Sequence, residues 1–356
     1  MRVDSNKDRK ELTLEDFKQA YEFLPEIQKA FRQRPSNKLD RTPNFDVAFF
    51  GGEPLLKLKN MLDIAKFIRN EYSNVTCHTP TNGLLLNKKT IKKLEDGLVA
   101  FSVSYDGPFT NQRHDSSKDK KGLYKFPYKK EVQELMKIRG CKAMISPKNV
   151  YALSNNFKFF IENGIYYPGL SLVRDNTWTK TSVKEYDRQL YYIRRIIKEF
   201  YNKTGKLCIP DIFSLFILDT ILSYKQGKRP YSCFVGINGI AVHGDGSLYP
   251  CARFGANNRF KLGDYKKKYL NYERINWLMN EINTVRNEVC LKCDLYKICN
   301  MGCVYAQLSS NNWRVNNPIP NVCDIFRISF KHALDFYEDY KHIHDLKDFL
   351  KHKMES

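Results

Sequence analysis

Seven of the ten cysteines fall between residues 233 and 323, at spacings that suit metal ligation. Cys233 comes first, then Cys251, preceded by Gly246 and four spacer residues. A dense run follows, Cys290-x2-Cys293-x5-Cys299-x3-Cys303, and Cys323 stands alone after it. Soft thiolates packed this way ligate iron–sulfur clusters; alternatively, four of them at x2, x5 and x3 make one tetrahedral zinc site. Zinc on the dense run leaves Cys233, Cys251 and Cys323 without a role. His243 sits in the same stretch, on a hairpin signalled by Gly244-Asp245-Gly246. Imidazole replaces thiolate in some clusters, although an exposed hairpin histidine is the plainer reading. Cys77, Cys141 and Cys208 lie outside the group and read as ordinary buried or free thiols.

A second set of residues with chemical potential ends a series of strands. Phe45 to Phe50 reads as a buried strand and runs into Gly51-Gly52-Glu53-Pro54. Gly51 and Gly52 let a ligand approach the backbone, and Glu53 offers a carboxylate suited to an ammonium group. The strand Asn74 to Thr79 stops at Thr81-Asn82-Gly83, and Leu98 to Tyr105 stops at Asp106-Gly107-Pro108. Each motif alone is also ordinary turn chemistry. Their shared place at strand ends carries more information than any one of them.

The elements that must position these groups alternate regularly. Thr13-Leu-Glu-Asp16 is a capping box opening a helix that Pro25 must kink or split. A helix carries Met61, Ile64, Ala65 and Ile68, and others are predicted at 88–96, 151–163 and 183–203. Strands are predicted at Cys141 to Ser146 and Ile165 to Val173. This rhythm argues an α/β class with a parallel sheet and helices outside it, where function gathers at the carboxyl ends of the strands. Phe326, Phe330, Leu334 and Tyr337 mark a terminal helix over 324–352.

At 356 residues the chain has room for two domains, and its 42% hydrophobic content supports a full core. No apolar run approaches the ~20 residues that span a bilayer, and the polar start has no signal-peptide core. A reducing, cytoplasmic setting with no membrane partner follows. The net charge is +20. Runs such as Lys118 to Lys121, Lys129-Lys130 and Lys266-Lys267-Lys268 contribute to it and read as a solvated surface. Without an accompanying motif, no nucleic-acid partner is expected.

Taken in order, Phe-Phe-Gly-Gly-Glu-Pro-Leu-Leu, Thr-Asn-Gly-Leu-Leu-Leu and Val-Ser-Tyr-Asp-Gly-Pro resemble the radical S-adenosylmethionine (SAM) enzymes. The cysteine pattern C-x12-G-x4-C, C-x2-C-x5-C-x3-C, C resembles their SPASM extension, so the likeness runs from about residue 13 to residue 330. It implies a partial (β/α)6 barrel, here missing its first strand, over 1–208. A connecting helix or linker at 209–232, a SPASM iron–sulfur domain at 233–330 and a C-terminal helix at 331–356 would follow. Gly51, Gly52, Glu53 and Pro54 match the motif that holds the SAM amino group, and Ser104 and Arg113 lie where the family contacts the SAM carboxylate or ribose. Two auxiliary [4Fe–4S] clusters are implied, one on Cys290, Cys293, Cys299 and Cys323 and one on Cys233, Cys251 and Cys303. Many relatives carry a further cysteine about six residues after the first. Here that place is Gly239-Ile240, so one iron is left for another ligand.

One family motif is missing. The C-x3-C-x2-C that binds a third, SAM-cleaving cluster occurs nowhere in the chain. Counting back from Gly51 puts it at or before Met1. The expectation is that Met1 is an internal methionine, and that the first strand and three cysteines were lost through truncation or a miscalled start. A chain complete as written would instead be a non-cleaving partner that carries clusters or binds peptide.

For a complete enzyme, the likeness implies hydrogen abstraction from a peptide or protein by a 5′-deoxyadenosyl radical, with flavodoxin or ferredoxin as electron donor. Ribosomal peptide maturation and sulfatase maturation are the leading types. Sulfatase-maturating relatives use an aspartate as base after the Gly-x4-Cys cysteine. Ala252 stands there, which favours a peptide maturase.

Overall fold

The computed structural model describes residues 10–32, 46–72, 75–110, 127–175, 177–226, 235, 240–255, 257–283, 288–299, 302–310, 314 and 317–355. Arg113, Cys233 and the Lys118 to Lys121 run lie outside the described residues.

Helix α1 (Leu14–Glu22) opens on the expected capping box: Asp16 N donates to Thr13 Oγ1 and Thr13 N to Asp16 Oδ2, both at 3.1 Å. Pro25 does split the segment. Helix α2 (Leu24–Arg32) begins one residue before it, where a missing N–H is harmless.

Strands β1 (Asp46–Ala48), β2 (Thr76–Thr81) and β3 (Val99–Val103) pair in parallel in that order. Strands β4 (Lys142–Ile145) and β5 (Gly169–Leu172) form a second parallel pair. A single bridge between Ser104 and Lys142, where Tyr105 N donates to Lys142 O at 2.9 Å, joins the two. The result is five consecutive parallel strands. Each is followed by a helix: α3 (Leu58–Glu71), α4 (Lys88–Asp96), α5 (Lys130–Arg139), α6 (Leu153–Glu162) and α7 (Lys180–Thr204). This is the parallel α/β arrangement that the alternation predicts, and the partial barrel that the resemblance implies. Its core joins Cys77, Val103, Ala143 and Ile145 from the strands to Ala65, Leu94, Phe157 and Ile193 from the helices.

Helix α8 (Asp211–Gln226) leads out of the barrel. A meander of β6 (Ala241–Val242), β7 (Ser247–Tyr249), β8 (Gly263–Asp264) and β9 (Tyr269–Leu270) follows, confirming a hairpin at 243–246. With α9 (Tyr272–Asn283) and α11 (Val304–Ser310) it encloses a second core around Leu248, Phe254, Phe260, Ile275 and Leu278, to which α10 (Glu288–Leu291) contributes no buried residue. Ala20, Phe23, Ile27 and Ala30 of α1 and α2 belong to this second core. Lys266 clamps the junction, pairing with Asp16 at 2.5 Å and donating to Gly244 O at 2.7 Å. Burial alone would raise the Asp16 pKa, but hydrogen bonds from Lys266 and Thr13 bring it below the usual value. One lysine of the expected solvated run is therefore a structural tie.

The terminal helix predicted over 324–352 is two helices, α12 (Pro320–Tyr340) and α13 (His344–Glu355). The turn between them lets Leu346 and Leu350 enter the barrel core and Phe349 stack on Tyr167 at 5.9 Å. Helix α12 crosses α7 and α8 through Tyr186 OH–Ser329 Oγ (2.7 Å), Phe213–Phe336 and Phe216–Phe326. No described helix is long and apolar enough to cross a membrane.

His332 of α12 is buried against Asp187 of α7 at 2.8 Å. Burial, with Arg194 nearby, lowers its pKa, and the carboxylates of Asp187 and Asp335 offset this only in part. A pKa lower in the folded state means that the unfolded chain takes up the proton first. Stability is then complete above the unfolded value of about 6.5 and is lost as pH falls below it, by at most ~1.4 kcal/mol per unit. Urea denaturation from pH 7.5 to 5 is expected to show a shallower loss in His332→Gln than in the wild type.

Candidate functional site

Glu53 follows β1 and caps a 3-10 turn over Pro54–Lys57, with its Oε1 accepting from Leu55 N at 3.1 Å. The same oxygen accepts from Thr81 Oγ1 at 2.7 Å, and Oε2 accepts from Asn82 N at 2.8 Å. The first two strand-end motifs are thus one unit: the end of β2 holds the carboxylate that ends β1. A carboxylate offers about four lone-pair directions, so three bonds fix its plane and leave acceptor capacity for an ammonium group. Thr81 also receives Gly83 N at 3.0 Å, and Asn82 Oδ1 receives Leu84 N at 3.0 Å, which locks the turn.

Gly51 and Gly52 stand in a different relation to their surroundings. A Cβ built on either would meet no atom within 4 Å, and neither residue has positive φ. Neither packing nor backbone conformation requires glycine there. What the pair provides is uncovered backbone beside an oriented carboxylate, a cradle that side chains would fill. Ser104 lies two strands away at the β3–β4 bridge, and its carbonyl accepts from Tyr128 OH at 2.9 Å.

The third motif is structural. Asp106 is buried and its Oδ1 accepts from Met144 N at 2.8 Å, tying β3 to β4. Gly107 has φ +105°, and a Cβ there would collide with the Asn156 side chain, whose Oδ1 accepts from Phe109 N.

The cysteines gather in two places. Cys290, Cys299 and Cys323 line one cavity with Leu172, Phe216 and Phe326. Cys290 lies on α10 and Cys323 in the first turn of α12, while tight turns place Cys293 and Cys299. Burial, then the neighbouring Cys299, Cys290, Asp324 and Cys293, push the Cys323 thiol up to about 11. Cys323 therefore lies close enough to the other three cysteines to feel their charge, a cost for its thiolate that a cationic iron centre would remove. Among the described residues, no three His, Cys, Asp or Glu side chains converge to hold a single metal ion. A cluster needs no such convergence, because it spreads its thiolates over several irons.

Cys251 precedes the turn Ala252–Phe254, and Cys303 follows Gly302, whose φ is +80°. Arg253 Nη1 reaches Cys303 Sγ at 3.0 Å, and Phe254 packs on Tyr305 with ring centroids 5.0 Å apart. These contacts bring the two half-buried cysteines' segments together across the domain. His243 is not the exposed hairpin residue of the plainer reading. Its ring lies 5.0 Å from Tyr249 and packs against Gly255, where a Cβ would collide with it. Cys77, Cys141 and Cys208 are buried core thiols, as expected. Sequence reasoning missed Thr81 and Asn82 as partners of Glu53. The signal was present, since adjacent parallel strands bring successive strand ends side by side.

The glycines separate cleanly in a substitution test. Gly52→Ala is expected to change stability by no more than about 0.5 kcal/mol while weakening SAM binding at least tenfold in equilibrium dialysis of the iron-reconstituted protein. Gly107→Ala, which meets both a positive φ and Asn156, is expected to lose about 2 kcal/mol or more in urea denaturation.

A family model described as a 4Fe-4S single cluster domain matches residues 14–127. Within that stretch Cys77 is the one cysteine. The cysteine-type anaerobic sulfatase-maturating enzyme of Clostridium perfringens (strain 13 / Type A) is 24% identical over 302 residues, covering 78% of this chain and 78% of that protein. The solved structure of histidine-tagged anSMEcpe with bound AdoMet superposes with a TM-score of 0.65 at 20% identity, over 92% of this chain and 89% of that one. Native anSMEcpe with bound AdoMet and Kp18Cys peptide gives 0.61 at 22% identity, over 92% and 90%. The chain has the fold of anSMEcpe, which supports the partial barrel that the radical SAM resemblance implies.

Proposed function

We propose that the chain belongs to a radical SAM enzyme that modifies a peptide or protein. One observation carries the reading: Glu53, oriented by Thr81 and Asn82, sits beside a glycine pair with open space above it. Gly51, Gly52, Glu53 and Pro54 would hold the SAM amino group, with Ser104 and Arg113 as further SAM contacts. Cys290, Cys293, Cys299 and Cys323 would hold the outer cluster, and Cys233, Cys251 and Cys303 the inner one. The 4Fe-4S domain match and the AdoMet in the structural neighbours support these cofactors. Bound beside an additional reduced [4Fe–4S] cluster, for which this chain holds no C-x3-C-x2-C, SAM would supply the abstraction of a substrate hydrogen atom. The protein's part is to orient SAM by its ammonium group, keep water from the reacting atoms and present the substrate hydrogen.

The substrate reading has two forms. The Clostridium perfringens relative and the neighbours bound to cysteine-containing peptides favour oxidation of a cysteine in a peptide segment. Ala252 favours the maturation of a ribosomal peptide, because its side chain takes no proton and the base of a sulfatase-type oxidation would have to come from elsewhere. In both forms the partner is a peptide, and the electron donor would be a flavodoxin or ferredoxin. The contrasting reading, a cluster-carrying partner that does not cleave SAM, is motivated by the lack of a C-x3-C-x2-C in the chain.

Single-turnover assays under anaerobic reduction discriminate these readings. The chain as given and the chain extended by the in-frame codons preceding Met1 are reconstituted with iron and sulfide, then mixed with SAM and a cysteine-containing peptide. 5′-Deoxyadenosine is expected from at least one form. Glu53→Gln is expected to reduce it tenfold or more, since charge-assisted hydrogen bonds contribute about 1.5–3 kcal/mol. Full iron content with no 5′-deoxyadenosine from either form would sink the catalytic reading in favour of the partner protein.

A further inference from the structure

Among the described residues, Arg253 and Arg327 each reach a cysteine sulfur, one at each group. Arg253 Nη1 donates to Cys303 Sγ at 3.0 Å, and Arg327 Nη2 donates to Cys293 Sγ at 3.1 Å. Their settings differ. Arg253 lies over the Tyr305 ring, 5.6 Å from its centroid. Arg327 also pairs through Nη1 with Asp294 Oδ1 at 2.6 Å. The Cys293 thiol itself reaches the same carboxylate oxygen at 3.5 Å. These sulfurs stand in for cluster thiolates, which carry no proton. In that state the guanidinium remains the hydrogen-bond donor and the carboxylate becomes a repelling neighbour.

We infer that Arg253 and Arg327 set the reduction potentials of the two auxiliary clusters independently, and that Asp294 opposes Arg327 at the outer one. The inference rests on the reading that these cysteines hold clusters. Reduction adds negative charge to a cluster, and a donor and positive charge at a ligand sulfur stabilise the reduced form. Each arginine therefore raises the potential of the cluster it touches. Asp294 lowers the outer potential, both by its own charge and by drawing on Arg327. A residue serving only to brace its loop would not produce opposite signs within one ion pair.

The test is EPR-monitored redox titration of the reconstituted chain. The signal of each cluster is assigned by its loss in Cys303→Ser or Cys293→Ser. Arg327→Gln is expected to lower the outer potential and leave the inner one in place, and Arg253→Gln to do the reverse. Each shift is expected to reach about tenfold in the reduced-to-oxidised ratio at fixed potential, about 59 mV for one electron. Asp294→Asn is expected to raise the outer potential, and Arg→Lys to restore most of each loss. If a glutamine variant fails to bind iron, Asp294→Asn and the lysine variants still decide the matter. Unmoved potentials at full iron content overturn the inference, as does an equal shift of both clusters by any one variant. A wild-type chain that takes up no iron or sulfide refutes the cluster reading instead, so the two failures are distinguishable.

Discussion

The mouth of the barrel depends on one carboxylate. Glu53 ends β1, and both of its oxygens are held from the end of β2, by the Thr81 hydroxyl and the Asn82 amide. Hydrogen bonds to a charged group contribute about 1.5–3 kcal/mol each, enough to fix one rotamer and one relative height for the two strand ends. That fixed height determines where Gly51 and Gly52 present their backbone. It requires β1 and β2 to keep the register that pairs Val47 with Cys77. A shift of one residue would turn the side chains of β1 to the other face of the sheet and move Glu53 relative to Thr81 and Asn82.

Much of this was legible in the sequence. The βα alternation gave five strands in order, and the capping box at Thr13 and the split at Pro25 are local effects that sequence reports well. Helix α4 has the predicted bounds because Asn87 caps it, its Oδ1 accepting from Thr90 N at 3.0 Å, and Gly97 ends it. The Glu53 triad was half legible, since both motifs were visible but their pairing depends on strand order. The Asp106 motif looked like the other two, and only its neighbours reveal that it ties β3 to β4. The arginine–sulfur contacts were not legible at all. They span 50 and 34 residues, and nothing in local pattern distinguishes Arg253 or Arg327 from surface arginines.

The two cysteine groups also differ in how the fold assembles them. The outer set gathers around tight turns near α10 and closes with the first turn of α12, the helix that crosses α7 and α8. It is therefore anchored to the barrel as well as to its own loop, and its cavity includes Leu172 at the end of β5. The inner pair comes together within the second core, through Arg253, Phe254 and Tyr305. A movement of α12 would thus displace Cys323 from Cys290, Cys293 and Cys299 and leave the inner pair in place.

Helices α1 and α2 precede the barrel in sequence, yet Ala20, Phe23, Ile27 and Ala30 are buried in the core of the cysteine-rich part, while Phe17 and Tyr21 pack edge-on against Phe67 of α3. The two halves are therefore laced together, because the polypeptide visits the second core, leaves to build the sheet and then returns. A barrel excised after residue 208 would present an apolar helix pair to water, and a cysteine-rich fragment expressed alone would lack part of its interior. The chain is best regarded as one folding unit, so that loss of the cysteine-rich half would reach the Glu53 end of the barrel through the helix pair both halves share.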